Sequence, residues 1–325
     1  MASCKELLSQ TETDTTMGSP YEVLVVCDTD TWKGELGNAL REVLQEPVEM
    51  LNQYEPKFNT LHVIPEGFSS VFMKHRNILK VVCSSDATNA SITAEYNVSS
   101  SPQIVLTLKG PSTTAMAEYL KENGKMLLQT LESAERNRTV SSARESGSEE
   151  LTNAIRTQFD IDMPVSSSYA TRNIGTNFVW ASNEFPRASQ GFFVYTHPYN
   201  SENDLSTKSL VKARSEAAKR IPGPADGSYM TTVTKIPDSE SKGYIDFLPE
   251  RKVVNIDGRE WIELRGFWEV EGDFMGGPFV SYTTLDKRTN KLLTIDGYIY
   301  SPKDNKRNML RKLEHLVYGV SFPAK

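Results

Sequence analysis

The chain has 325 residues, of which 38% are apolar and 24% charged, and a net charge of −6. This composition is ordinary for a globular protein of about two domains. No Lys/Arg block predicts a nucleic-acid surface, and no apolar run reaches the roughly 18 residues that a membrane-spanning helix needs. Three cysteines and four scattered histidines do not give zinc-site spacing, so we expect no metal site. We also expect no cofactor and no nucleic-acid partner.

Residues 1–19 have the composition of a flexible tether. Cys4 follows two small residues in MASCKELL, and the polar tract SQTETDTTMGSP comes next. Small residues before a cysteine are typical of the end of a bacterial lipoprotein signal, in which the cysteine is lipidated after cleavage. The apolar part of such a signal does not precede Cys4, so we expect a mature or truncated form. A chance triplet is the alternative.

The first half predicts alternating strands and helices. YEVLVVCD reads as a buried strand, and Thr31 can cap a helix that runs to about Gln45, before Pro47. The strands FNTLHVIP, NILKVVCSS, ASITAEYNV and PQIVLTLKG follow, and then an amphipathic helix from about Ser112 to Arg138. Cys27 and Cys83 lie in strand-like runs. We expect two buried thiols, with a disulfide between them open if the compartment is oxidising.

From Glu149 the order of elements recurs. Helix ELTNAIRTQF, strands DIDMPV, RNIGTNFVWAS and GFFVYTHPY, and helix STKSLVKARSEAAKR match the first half in order. Both halves carry Arg-Asn-Ile before a predicted strand, at Arg76 and at Arg172. We interpret residues 20–140 and 141–325 as two diverged repeats of one unit. Chance recurrence of common elements is the alternative.

The second half adds a series of strands. YMTTVTKI, REWIELRGFWEVEG, PFVSYTTLD and KLLTIDGYIYSP are separated by turn-rich links, including residues 255–258 and 287–290. The helix KDNKRNMLRKLEHLVYGV closes the chain, with Asp304 as a plausible cap. Strands and helices interleave without strict βαβ alternation. This predicts an α+β fold with a mainly antiparallel sheet, a C-terminal β-meander and a closing helix.

The run RGFWEVEGDFMGGPFVSY, residues 265–282, is the place where we expect any ligand. On a strand, Arg265 shares a face with Glu263 and Glu269, the pattern of an ion-pair ladder on a half-covered face. The simplest interpretation is a strand, a glycine-rich turn and a second strand. The functional alternative is a concave wall that binds a sugar or a carboxylate, formed by Arg265, Trp268, Tyr282 and the backbone of Gly276 and Gly277.

Other charged residues offer weaker signals. Arg76 either pairs with a carboxylate such as Glu55 or recognises an anion through its guanidinium. There is no GxSxG motif, and His75 has no identifiable partner for catalysis. Glu263, Glu269, Glu271 and Asp273 have spacings compatible with an inverting glycosidase, but such pairs are common on exposed strands. We therefore predict no catalytic residue.

Several stretches together resemble a known family. These are IPGPADGSYM, RGFWEVEGDFMGGPFVSY, DGYIYSPKDNKRNMLRKLEHLVY and the earlier QYEPKFNTLHVIP…KHRNIL. They are similar to an uncharacterised family of lipoproteins, a domain of unknown function, from Bacteroidetes-type bacteria. The resemblance spans about Tyr21 to Phe322. It implies export, removal of a signal peptide, a lipid on Cys4, and a cell-envelope location at the outer membrane, facing the periplasm or the surface.

The sequence thus favours a lipid-anchored envelope protein without catalytic activity that binds an envelope glycan or a partner protein. Its contact with the membrane would be through the N-terminal lipid only. An envelope enzyme acting on glycan or peptidoglycan is one alternative. A structural or assembly subunit is the other.

Overall fold

The computed structural model describes residues 15–323, and the chain divides into two compact units. The described part of the first unit comprises residues 15–46 and Pro56–Glu135, and that of the second comprises Pro47–Glu55 and residues 136–323. The predicted boundary near residue 140 is close to this division. It misses the short segment Pro47–Glu55, which belongs to the second unit although the chain on both sides of it belongs to the first.

The start of the described chain is ordered rather than a free tether. The backbone N–H of Met17 donates to the carbonyl of Lys74 over 2.8 Å, and the carbonyl of Met17 accepts from the N–H of Arg76 over 2.9 Å. The predicted tether, residues 1–19, is therefore too long by at least five residues, 15–19. Cys4 lies outside the residues that the structure describes.

The first unit is a five-stranded sheet with helices. Its elements are β1 (Glu22–Val26), α1 (Thr29–Lys33), α2 (Glu35–Leu44), β2 (Asn59–Val63), β3 (Asn77–Cys83), β4 (Ser91–Tyr96), β5 (Ile104–Gly110) and α3 (Thr113–Glu145), whose last ten residues belong to the second unit. The strand order is β2-β1-β3-β5-β4, and only β4 runs antiparallel to its neighbour. Val23, Leu24 and Val25 of β1 are fully buried, as expected for a central parallel strand.

The helix predicted from Thr31 to Gln45 is two helices. The first begins after Asp28 and ends at Gly34, where the second begins. A Cβ on Gly37 would lie 1.8 Å from the carbonyl oxygen of Trp32, so only glycine allows α2 to start this close to α1. Leu36, Leu40 and Leu44 form the buried face of α2.

The two described cysteines differ from the expectation. Cys27 is buried and Cys83, at the end of β3, is exposed, and neither forms a disulfide. Burial raises the pKa of the Cys27 thiol to about 11, so it behaves as a small apolar side chain. The prediction of a buried thiol holds for Cys27 and is wrong for Cys83.

The second unit is a large antiparallel sheet between helices. Its elements are α4 (Glu149–Phe159), β6 (Ala170–Gly175), β7 (Phe178–Glu184), β8 (Ser189–Pro198), α5 (Thr207–Ala218), β9 (Tyr229–Thr232), β10 (Lys235–Pro237), β11 (Tyr244–Asp246), β12 (Glu250–Ile256), β13 (Arg259–Glu271), β14 (Gly276–Asp286), β15 (Lys291–Tyr300) and α6 (Arg307–Tyr318). The strand order is β12-β13-β14-β15-β8-β7-β6, with β9 also paired to β13. The predicted α+β class, the meander and the closing helix are confirmed.

Both faces of this sheet are covered. On one face, Trp261, Tyr282 and Ile295 belong to a buried cluster with Ile155 of α4 and Leu313 of α6. On the other face, the strands pack with α5 and β9. That cluster contains Leu210, Val211, Met230, Ile262, Leu264, Trp268 and Phe279. The alternation predicted for β13 therefore separates two cores rather than a core and a half-open face.

The strand pairing does not repeat between the units. β3 and β5 are parallel neighbours, whereas β6, β7 and β8 form consecutive antiparallel pairs. The segment DIDMPV is not a strand, and RNIGTNFVWAS is a hairpin that turns at Asn177, where φ is 52°. Arg76 precedes β3, but Arg172 lies inside β6 beside a bulge. The predicted duplication is thus not seen in the sheets.

Within residues 15–323, no helix combines the length and the apolar character needed to cross a membrane.

Candidate functional site

The predicted ligand wall is buried and divided between the two faces of the sheet. Arg265, Trp268 and Tyr282 are only 7%, 2% and 2% exposed. Tyr282 packs in the cluster beside α6, and Trp268 packs in the cluster beside α5. Arg265 binds Glu314 of α6, so it shares the face of Tyr282. These side chains form no common wall that a ligand could reach.

Arg265 is the centre of a buried ionic network. Its Nε donates to Oε1 of Glu263 and its Nη1 to Oε1 of Glu314, both over 2.7 Å. The hydroxyl of Tyr282 donates to Oε2 of Glu263, also over 2.7 Å. The predicted pair with Glu263 is present, but the second carboxylate comes from helix α6 and not from Glu269. The network joins the helix to the sheet.

Trp268 and the Gly-Gly pair serve close packing. The Nε1 of Trp268 donates to the backbone oxygen of Ile299 over 3.1 Å. A Cβ on Gly277 would lie 2.0 Å from the same oxygen. Gly276 and Gly277 are strand residues of β14, and the positive φ of the turn, 88°, is at Gly272 instead. The glycines therefore let two strands approach each other and need no ligand.

Arg76 is also committed to an ion pair. Its Nη2 donates over 2.7 Å to Oε2 of Glu135, which is 1% exposed, and the amide of Asn77 donates to the other carboxylate oxygen. A carboxylate partner was expected, but Glu55 is not that partner. The predicted role of Arg76 in ligand binding is not supported.

Glu55 instead caps helix α6 within the second unit. Its two carboxylate oxygens accept the backbone N–H groups of Lys306, over 2.7 Å, and Arg307, over 2.8 Å. Glu55 is 3% exposed, so these bonds are shielded from water. A carboxylate at a helix N-terminus satisfies free donors and complements the helix dipole. Asp304, predicted to cap this helix, does not do so.

His75 is a hydrogen-bonded structural residue. Its Nδ1 lies 2.9 Å from the carbonyl of Asn77, and its Nε2 lies 3.0 Å from Oε1 of Glu22. A Cβ on Gly18 would lie 2.3 Å from that Nε2, so the ring also packs on the N-terminal segment. His75 belongs to the first unit, whereas the acidic residues Glu269 and Asp273 belong to the second.

His315 and Glu314 of α6 give the second unit an acid-sensitive core. Burial foremost, together with the charges of Arg311 and Arg136, lowers the pKa of His315 from 6.5 to about 3 against the opposing charge of Glu314. Burial would raise the pKa of Glu314, but Arg265 and Arg311 outweigh it and hold the pKa at about 2. In the folded protein at neutral pH, His315 is uncharged and Glu314 is ionised.

We expect acid to destabilise the second unit through His315 first. Between pH 6.5 and about 3 the unfolded chain binds a proton that the folded chain does not, so stability falls with falling pH by up to about 1.4 kcal/mol per pH unit. Glu314 adds a loss between pH 4.5 and about 2. Urea unfolding at pH 7, 6 and 5 should show a shallower pH dependence for His315→Gln than for the unchanged chain. Equal slopes would contradict the assignment of this pH dependence to His315.

A groove remains at one end of the meander in the second unit. It has a volume of about 760 Å³, and we call it the arginine groove. The residues that line it include Leu205, Asp257, Arg259, Glu260, Asp286, Arg288 and Phe322. Asp257 and Gly258, at φ 50° and 79°, form the two-residue turn between β12 and β13. Alternate turns of an antiparallel meander lie at the same end, so the turn after β14 lies beside it.

Arg288 in the groove is already paired. Its guanidinium contacts both oxygens of Asp286, each over 3.0 Å, and Oδ2 of Asp160 over 2.7 Å. These hydrogen bonds, that to Asp286 foremost, raise the pKa of Arg288. Burial opposes ionisation of Asp286, but the bonds to Arg288 outweigh it and lower its pKa. This pair is a fixed part of the groove wall.

Arg259 is the cation that the groove leaves without a carboxylate. Its Nη1 donates to the carbonyl of Leu285 over 3.2 Å, and its guanidinium carbon lies 3.6 Å from the ring centre of Phe322. It forms no ion pair with any residue between 15 and 323. Partial burial and the charge of Arg288 lower the pKa of Arg259, against the charge of Asp286. An anion bound here would stabilise the charged guanidinium.

The groove combines a guanidinium with an aromatic ring, which suits a ligand carrying a carboxylate beside an apolar group. The rim of the groove carries three exposed charged side chains, those of Lys287, Asp257 and Glu260. No group of His, Cys, Asp and Glu in the described chain could hold a metal ion. Both turns of this end are predicted from sequence, but their proximity is not, and neither is a role for Arg259, Arg288 or Phe322.

Two family models match the chain, in positions that follow the two units. The family described as Domain of unknown function (DUF4837) matches residues 148–319, and Domain of unknown function (DUF8532) matches residues 16–144. No curated protein matches. Among solved structures, a point mutant of the protein Mog1 is similar over 50% of this chain and 90% of its own, with 11% identity and a TM-score of 0.29. Similarity at that level does not establish a shared fold.

Proposed function

We propose, from the premise that the chain belongs to the family of the Domain of unknown function (DUF4837), that it is a binding module without catalytic activity, whose arginine groove takes an acidic ligand. The family's name gives no activity, so the groove in the matched region is the basis for the proposal. The ligand class is a carboxylate-bearing chain, either an envelope glycan or a segment of a partner protein.

The observation that supports this most is the state of Arg259. It is a half-buried guanidinium in contact with Phe322, and within the described chain it forms no ion pair, although the charge of Asp286 lies near enough to act on it. Burying a charge without a partner costs free energy, and every other cation of this groove wall is either paired, as Arg288 is, or exposed, as Lys287 is. A bound carboxylate would provide the missing partner through a bidentate contact.

The hydroxyl groups of the groove support binding rather than catalysis. The Oγ1 of Thr283 lies 2.8 Å from that of Thr294, and the Oγ1 of Thr284 donates to the carbonyl of Glu260 over 2.7 Å. Neither hydroxyl contacts a base that could activate it as a nucleophile. An enzyme acting on glycan or peptidoglycan is the weaker alternative, because neither hydroxyl has such a base.

A cell-envelope location, with a lipid on Cys4, is part of the same proposal. It is supported by the small residues before Cys4, by the polar stretch that follows and by the resemblance to envelope lipoproteins. A module held near the membrane by its N-terminus would meet acidic polymers of the envelope. A purely structural or assembly subunit is the alternative, and it would need no ligand in the groove.

We expect a carboxylate-bearing ligand to raise the melting temperature of the full chain through Arg259. The screen would use uronate oligosaccharides, muropeptides and acidic peptides, each with a neutral analogue. At 100 times its Kd a ligand stabilises the folded state by about 2.7 kcal/mol. Arg259→Ala should abolish the shift, whereas Arg251→Ala, at an exposed arginine of β12, should keep it. A shift that survives Arg259→Ala would place the site elsewhere.

A further inference from the structure

We propose that the acidic segment taken by the arginine groove is the tip of the β13–β14 hairpin of a second copy of this chain. Molecules would then associate head to tail through their second units. This inference rests on the proposed function, because it names the occupant of the same groove. The observations that support it concern the residues of the hairpin tip, which do not line the arginine groove.

The hairpin tip presents an aromatic side chain to solvent. Phe274 has a relative exposure of 107%, so no part of its ring packs within the chain. Phe185, at the neighbouring β7–β8 turn, is 47% exposed, and it lines a recess of about 490 Å³ together with Met275 and Pro186. Exposed aromatic side chains at the turns of one sheet end are typical of a protein contact site.

The tip is also acidic. Glu271 and Asp273 both precede Phe274 within three residues and are exposed. One oxygen of Asp273, Oδ1, accepts the backbone N–H of Met275 over 3.1 Å, which fixes the carboxylate beside the ring. Together with burial, the charge of Glu271 raises the pKa of Glu269, a sign that like charges are crowded here. The tip therefore carries the carboxylate and the apolar group that the groove lacks.

The two sites cannot meet within one molecule. Strand β13 begins at Arg259, in the groove, and ends at Glu271, beside the tip. Its 13 residues span roughly 40 Å at about 3.3 Å per residue. Both sites belong to the same sheet, so a hairpin tip can reach only the groove of another copy. Their placement at opposite ends predicts a heterologous contact, which extends into chains or closes into rings.

Charge and shape agree with this docking. Asp273 would pair with Arg259, and the ring of Phe274 would pack near Phe322 and Leu205, which line the groove. A volume of about 760 Å³ lies in the range of pockets that enclose a small ligand, so it can hold these two side chains. Asp257 and Glu260 are exposed at the rim and would have to remain in solvent, while Lys287 adds a favourable charge.

A single hairpin buries less surface than a stable dimer interface, so we expect a weak contact that forms at high concentration. Sedimentation velocity of the full chain over about 1 to 500 µM should show a rising weight-average mass that high salt suppresses. Phe274→Ser, at the tip, and Arg259→Glu, in the groove, should each weaken self-association at least about tenfold. Tyr244→Ser, at another exposed aromatic residue, and Arg251→Glu are the matched controls.

Mixing the two variants gives the decisive test. Phe274→Ser keeps an intact groove and Arg259→Glu keeps an intact tip, so a mixture can form one contact and no more. We expect a one-to-one heterodimer without larger species. Lys287→Glu replaces Arg259→Glu as the groove variant if the latter unfolds, because Lys287 is exposed.

The outcomes separate this inference from the proposed function. A monomer at every concentration, together with an Arg259-dependent thermal shift by a glycan or peptide, would overturn the head-to-tail contact and leave the binding module standing. Self-association that is equally strong in the unchanged chain and in both variants would overturn it as well. Assembly that requires Phe274 and Arg259, without a shift by any screened ligand, would support it and make assembly the role of the groove.

Discussion

Arg265→Met is expected to lower the free energy of unfolding of the second unit by about 3–5 kcal/mol. The substitution leaves the carboxylate of Glu263, which is 6% exposed, without a cation, and it leaves Glu314, which is 3% exposed, with Arg311 alone. Burial alone would lower the pKa of Arg265, but the charges of Glu314 and Glu263 raise it well above its usual value. The guanidinium is therefore charged and paired in the core.

Urea unfolding monitored by tryptophan fluorescence can report on the second unit alone. Three of the four tryptophans, at positions 180, 261 and 268, belong to this unit, so a Trp32→Phe background removes the signal of the first. Arg251→Met, on the neighbouring strand, is the exposed control and should change stability by less than about 0.5 kcal/mol. A loss below about 1 kcal/mol for Arg265→Met would mean that the network does not hold the unit together.

A combined variant distinguishes the loss of the ion pair from the loss of side-chain packing. Adding Glu263→Gln to Arg265→Met removes the stranded charge, whereas Glu314 keeps its ion pair with Arg311. We expect this double variant to be more stable than Arg265→Met alone, since an uncompensated buried charge costs more than a neutral buried group. A further loss of stability would show that packing, and not charge, dominates the cost.

The pattern of β13 predicted the two faces but not what covers them. Alternation correctly separated Ile262 and Leu264 from Glu263 and Arg265, because side-chain direction in a strand has a period of two. A face with Glu and Arg is usually open to solvent, so a half-covered face was expected. The sequence of α6 indicates a covered face instead. Glu314 is four residues after the buried Leu310 and lies on the same face of the helix.

The arginine groove was partly predictable for the same kind of reason. The turns at residues 255–258 and 287–290 follow from local sequence, since Asp-Gly favours positive φ at both turn positions. In a meander these turns lie at one end, which brings Arg259 and Arg288 together. The position of Phe322 after the last helix depends on tertiary packing alone. Its contact with Arg259 could not be derived from spacing.

The predicted duplication fails because segment order does not determine strand pairing. In the first half α1 and α2 between β1 and β2, and the long segment between β2 and β3, let the chain cross over to form parallel pairs. In the second half Gly175, Thr176 and Asn177 make a tight hairpin, which forces antiparallel pairs. A glycine and an asparagine inside RNIGTNFVWAS thus decided the topology, and they were read as part of one strand.

The Arg214–Asp296 pair is a second buried ion pair of the large sheet. Arg214 is fully buried in α5, and its Nε and Nη2 donate to the two oxygens of Asp296 over 2.7 and 3.1 Å. Its Nη1 donates to Thr232 of β9 over 2.9 Å, and its guanidinium carbon lies 3.6 Å from the ring centre of Phe279. One side chain therefore joins α5, β9, β14 and β15.

We expect Arg214→Met to destabilise the second unit by about 3–5 kcal/mol, because it leaves the carboxylate of Asp296 buried without its cation. Arg214→Lys should cost less, since the charge stays while the bidentate geometry is lost. Arg172→Met is the surface comparison, at an arginine that is 37% exposed and 3.8 Å from Glu184, and it should cost less than about 1 kcal/mol. Fluorescence-monitored urea unfolding in the Trp32→Phe background gives all three values. If Arg214→Met costs no more than Arg172→Met, the pair is not structural, and a charged pair retained in the core without a stability role would itself become a candidate for function.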